Sequence, residues 1–148
     1  MYASTANYIH LSCHGRFNPT KPLNSAVHLS GGSFTALDWM RLQLHANLVT
    51  LSACQTGLRE VSPGDEIVGL IRALLYAGAS STLLTLWSVS ATTTLEWMLD
   101  FYGHMWDGAT AGKKQSEAYA FQQATLTLRE KHPDPYYWAP FILAGDWR

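Results

Sequence analysis

Two stretches of this 148-residue chain end in side chains that can do chemistry. Tyr8-Ile9-His10-Leu11-Ser12-Cys13-His14-Gly15 runs to an imidazole, and Leu48-Val49-Thr50-Leu51-Ser52-Ala53-Cys54-Gln55-Thr56-Gly57 runs to a thiol. Each is a short β-branched or apolar run that closes on a reactive side chain and then glycine. Strands laid side by side would bring His14 and Cys54 to the same edge of a sheet. A thiol is a strong nucleophile only as thiolate, and a nearby imidazole can take its proton. The same imidazole can later protonate a leaving amine. Gly15 has no side chain to block its backbone N–H, which with the N–H of Cys54 would form an oxyanion hole; such a donor is worth about 3 kcal/mol.

Other assignments of these residues are weaker on physical grounds. A period of two places His10, Ser12 and His14 on one side of the first run and Ile9, Leu11 and Cys13 on the other. Cys13 therefore reads as core, and His10 as a packing residue beneath the site. A zinc site from His10, Cys13, His14 and Cys54 is disfavoured because this spacing sends ligands to both faces. Cys54 alone would fit a buried structural thiol, and its pairing with His14 carries the catalytic reading. Asp65 and Glu66 fit the first turn of a helix, where carboxylates complement the dipole. Tyr136-Tyr137-Trp138 reads as an aromatic cluster that closes the core.

The elements that must position the pair follow from pattern. Residues 8–12 read as a strand, 15–22 as a loop marked by Gly15, Pro19 and Pro22, 25–30 as a second short strand, and Gly31-Gly32-Ser33 as a turn. Thr35 can cap a helix over 36–43, with Asp38 at the capping-box place. Residues 47–53 read as a strand with few polar positions and none charged, the mark of a central strand buried on both faces, with Cys54 at its C-terminal end. A polar loop over 55–64 precedes a helix from Asp65 in which Ile67, Leu70, Ile71, Leu74 and Leu75 share one face, and Gly78 suits its C-cap. Residues 81–89 form the next buried strand. A helix over 92–106 is expected to turn Leu95, Met98, Leu99, Tyr102 and Met105 inward. Residues 109–112 break the pattern, a further helix covers 114–130, and His132-Pro133-Asp134-Pro135 stops it. Phe141-Ile142-Leu143-Ala144 is an edge strand. Strands alternating with helices predict an α/β sheet with parallel strands, and in such sheets reactive groups lie beyond the carboxyl ends of the strands.

Bulk properties bound the function. Hydrophobic residues make up 47% of the chain and charged residues 14%, so it is globular and of a length that fits one domain. The net charge is -1 with no basic run, which argues against direct nucleic-acid binding. No apolar run approaches the length of a membrane span, so no membrane partner is expected. The N-terminus lacks the pattern of a signal peptide. Two cysteines are too few for a disulfide framework and fit a reducing, cytoplasmic setting.

In several blocks taken together the chain resembles the CHAT domain, a caspase-like peptidase family associated with TPR repeats. The blocks are Ile9-His10-Leu11-Ser12-Cys13-His14-Gly15, Pro22-Leu23-Asn24-Ser25-Ala26, Leu48 through Gly57 as quoted above, Gly64-Asp65-Glu66-Ile67-Val68-Gly69-Leu70, Leu75-Tyr76-Ala77-Gly78-Ala79, Leu86-Trp87-Ser88-Val89 and Tyr136-Tyr137-Trp138-Ala139-Pro140-Phe141. They run from about residue 8 to residue 147 in the family's order. The resemblance implies a caspase-like three-layer sandwich with a mostly parallel sheet flanked by helices. It implies a cysteine endopeptidase of the caspase and separase kind, with His14 in the His-Gly step and Cys54 in the Ser-Ala-Cys-Gln-Thr step. It implies no metal and no organic cofactor, a protein or peptide substrate, and regulation by a sensor or TPR-type repeat region. Ser52, Gln55 and Ser88 are the expected residues of the substrate cleft. The family usually follows its Leu-Trp block with acidic residues, where this chain has Ser88-Val89-Ser90-Ala91. Family members also carry strands and helices ahead of the His-Gly strand, so residues 1–148 are expected to be one domain lacking its N-terminal strands. Two other functions remain open from the residues: a non-catalytic or degenerate peptidase-like interaction module, and a thiol hydrolase or acyltransferase acting on a small molecule.

Overall fold

Leu48, Val49, Thr50 and Leu51 are each exposed by no more than 1%, as a strand covered on both faces requires. They belong to β4 (Leu48–Gln55), the centre of the sheet in a computed structural model that describes residues 5–18, 20–55, 65–110 and 115–146. Around it stand β1 (Tyr8–Arg16), β2 (Ala26–Leu29), β3 (Gly32–Thr35), β5 (Ser81–Thr85) and β6 (Phe141–Gly145), in the order β3-β2-β1-β4-β5-β6. The β1, β4 and β5 strands run parallel, whereas β2 and β3 are antiparallel additions beyond β1. The fold is the mixed α/β sheet with helices that the strand–helix alternation predicts, consistent with a caspase-like sandwich.

The chain separates into two compact units. The first comprises residues 1–88 with 144–146, and the second 89–143 with 147–148. In the first, α1 (Ala36–Trp39) begins as predicted: the Thr35 hydroxyl accepts from the Asp38 N–H at 3.1 Å, and the Asp38 carboxylate accepts from the Thr35 N–H at 2.9 Å. The helix is one turn long rather than the expected eight residues, because beyond Trp39 the chain continues only as isolated turn bonds such as Leu42 N–H to Trp39 C=O. The next helix, α2 (Asp65–Tyr76), buries Ile67, Leu70 and Leu74 as its period demands. It packs against β5, α1 and a 3-10 turn at Pro22–Asn24. There Gly69 lies so close to the Pro22 ring that a Cβ would sit 2.7 Å from it. Gly78 ends the helix at φ +106°, and any side chain would meet the Leu44 carbonyl oxygen, so the position needs glycine twice over.

In the second unit, α3 (Ala91–Thr110) and α4 (Glu117–Lys131) pack together at Trp97, and α5 (Pro135–Trp138) packs against α4. The indole stacks on Phe141 at 4.2 Å and on Phe101 at 5.1 Å, and its N–H donates to the Thr125 hydroxyl at 3.2 Å.

Several expectations are corrected. The first strand runs through Gly15 to Arg16, so Gly15 is not in a loop. The turn proposed at Gly31-Gly32-Ser33 is tighter, and Gly32 already opens β3, a strand absent from the sequence reading. Helix α3 buries Trp97, Met98, Phe101 and Met105 and leaves Leu95 and Leu99 exposed by 58% and 66%. Both stripes are apolar, and the one with the indole and phenyl rings removes more area from water. The helix also runs through 109 and 110, where a break was expected. The Tyr136-Tyr137-Trp138 cluster forms α5, which buries none of its residues; Phe141 fills the core instead. The remainder of the 55–64 loop, Gly112 and Trp147 lie outside the described residues. No helix among the described residues is long and apolar enough to cross a membrane.

Candidate active site

The β1 and β4 strands pair in parallel from Tyr8 with Leu48 to Gly15 with Gln55, and this register sets His14 directly beside Cys54. Parallel neighbours lie about 4.8 Å apart across the ladder, so the two residues are adjacent across the sheet, near the carboxyl ends of both strands. Beyond His14 on the other side comes β2, where His28 is its partner, and beyond His28 comes Ser33 on β3. Cys54, His14, His28 and Ser33 thus form a row across four strands.

The alternation expected of β1 is present. His10, Ser12, His14 and Arg16 are exposed, while Ile9, Leu11 and Cys13 are partly covered and Gly15 is buried. His14 is therefore open to a ligand. His10 shares that open face at the level of Thr50, four residues upstream, and does not pack beneath the site as expected. What cover the ring has lowers its pKa by desolvation. On the opposite face, burial pushes the Cys13 thiol up, which keeps it in the unreactive protonated form.

Gly15 lies within the ladder, flanked by Val27 on β2 and Gln55 on β4. Ser52 is buried at the level of Ser12, below the open surface. Gln55 closes β4 opposite Gly15. Ser88 is exposed beyond β5, at the end of the first unit. The side chains of Ala53, Cys54, Gln55, Asp65 and Glu66 lie outside what is described. In the second unit, the Ser90 hydroxyl accepts from the Thr93 N–H at 3.1 Å and lies 2.7 Å from the Thr93 hydroxyl, capping the start of α3. The spacing of Ser90 from Thr93 was a readable cap signal that sequence analysis passed over. The His28–Ser33 contact was not readable, since it depends on the register of a hairpin whose second strand was missed.

The sequence pattern that describes the CHAT domain matches residues 2–146. Tetratricopeptide repeat protein 28 of Homo sapiens is 33% identical over 111 residues, which cover 75% of this chain and 4% of that protein. Its namesake in Mus musculus is 34% identical over 111 residues, with the same coverage of 75% and 4%. The chain thus spans a small fraction of the length of these relatives.

Proposed function

The chain belongs to the CHAT domain family, a caspase-like, peptidase-related family, and from that premise we propose that it is a cysteine endopeptidase with Cys54 as nucleophile and His14 as general base. The observation that carries this reading is the register that makes the two residues neighbours near the carboxyl ends of parallel strands.

In the proposed reaction, His14 takes the Cys54 proton and the sulfur attacks the scissile carbonyl. The tetrahedral oxyanion is held by the N–H groups of Cys54 and of Gly15. Collapse breaks the C–N bond, and the imidazolium returns its proton to the departing amine. Water, deprotonated by His14, then cleaves the thioester and restores the thiol. These steps use no metal or organic cofactor. Ser52, Gln55 and Ser88 are the proposed surroundings of the substrate. A cytoplasmic location and control by a TPR-type region are part of the same proposal, the second supported by the name of the relatives.

Cleavage of peptide and protein substrates by wild type, Cys54→Ala and His14→Ala tests the reading. Loss of turnover in both variants is expected, and equal turnover in all three would sink it. A non-catalytic interaction module is favoured by one observation, the exposed apolar residues Leu95, Leu99 and Trp106 on α3. Alkylation of Cys54 by iodoacetamide that slows in His14→Ala decides for the dyad.

A further inference from the structure

The flank of His14 that faces away from Cys54 carries two basic side chains. His28 stands beside His14 across the β1–β2 ladder, and Arg16 follows two residues along the same exposed face. By strand geometry both lie within about 7 Å of His14 along the backbone. Neither β1, β2, β3 nor β4 contains an Asp or Glu, and the first carboxylate of the chain is Asp38, already engaged by Thr35 and Arg41. Residues 1–37 hold Arg16 and Lys21 against no acidic residue, although the whole chain has 11 Asp and Glu against 10 Lys and Arg.

Ser33 adds a geometric element. Its hydroxyl lies 3.0 Å from Nδ1 of His28. With Ser33 donating, the neutral ring carries its proton on Nε2, and an imidazolium carries one there as well. With that direction of the bond, the exposed ring offers Nε2–H as a donor in both states. Arg16 adds a permanent charge with several donors, suited to a carboxylate.

We propose that Arg16 and His28, the latter oriented by Ser33, form a subsite beside the dyad that takes a carboxylate side chain of the peptide substrate. This rests on the peptidase reading above and names its substrate class: peptides with an acidic residue close to the scissile bond. Ser33 is a positioning residue, since it acts through His28.

The test uses the whole chain in a Cys13→Ala background and peptidyl chloromethyl ketones in which Asp, Asn or Lys is walked through the four positions before the ketone. Displacement of chloride by the Cys54 thiolate leaves a thioether that mass spectrometry counts. At one position the Asp probe is expected to label about tenfold faster than Asn and more so than Lys, the preference shrinking as salt rises. Arg16→Glu combined with His28→Gln should turn the preference toward Lys, an inversion that loss of structure cannot produce. Equal rates for all three residues at every position, or an Asp preference that survives the double substitution, would overturn the subsite. Failure of the dyad reads separately, as iodoacetamide alkylation of Cys54 unchanged by His14→Ala.

Discussion

Cys13 and His14 are adjacent in sequence yet face opposite sides of β1, and that parity decides which cysteine can meet an imidazole. Cys13 pairs in register with Ala53 on the covered face, where burial raises its pKa. The proposed nucleophile is the residue beside His14. At pH 7.5 iodoacetamide should therefore modify Cys54 at least about tenfold faster than Cys13, which should react more slowly than a free cysteine; peptide mapping of a partly alkylated sample measures both. A faster Cys13 would overturn this assignment of faces. That His14 and Cys54 come to one edge of the sheet was legible because strand patterns and a reactive residue near a glycine are local signals. His28 was not, because nothing local in Ser25-Ala26-Val27-His28 says that it will lie beside His14.

Among the elements, the best read were those with a local chemical signature. Thr35 and Asp38 form the capping box their spacing announces, and Ile67, Leu70 and Leu74 fill one face of α2. The misread elements were those decided by competition between distant parts. The two apolar stripes of α3 are equivalent by period, and the site of Trp97 chose between them. The β2–β3 hairpin turns on two glycines that resemble a plain loop. At α1 the Thr35 side chain and N–H hold the Asp38 carboxyl below its usual range. Because the folded-state pKa is depressed, the stability that this group contributes is present above about pH 4, its unfolded value, and is lost as pH falls through the folded value. Asp38→Asn should lower the melting temperature at pH 7 and flatten its decline between pH 4 and pH 2. A decline in the variant as steep as in wild type would show that the carboxylate is not held by the cap.

At the scale of the whole molecule the proposed chemistry resides in the first compact unit, while the second is organised by one indole. Trp97→Ala removes the ring that stacks on both Phe101 and Phe141 and should cost about 3–5 kcal/mol in urea unfolding, with Trp97→Phe costing less. A loss below about 1 kcal/mol would mean that the second unit is held by other contacts. The α/β class and the central position of β4 were legible from the alternation of buried strands with helices, whereas the division between residues 88 and 89 was not, because no linker pattern marks it. The chain belongs to the CHAT family, and the stretch it shares with the human relative is 4% of that protein's length. The most direct test of the central claim is kcat/KM for one cleaved peptide, taken from a library screen, in wild type, Cys54→Ala, His14→Ala and the double variant. The predicted result is a loss of about a thousandfold or more in each single variant with little further loss in the double, as expected of two groups that act as one unit. Cleavage that persists at the wild-type rate in either single variant would contradict it.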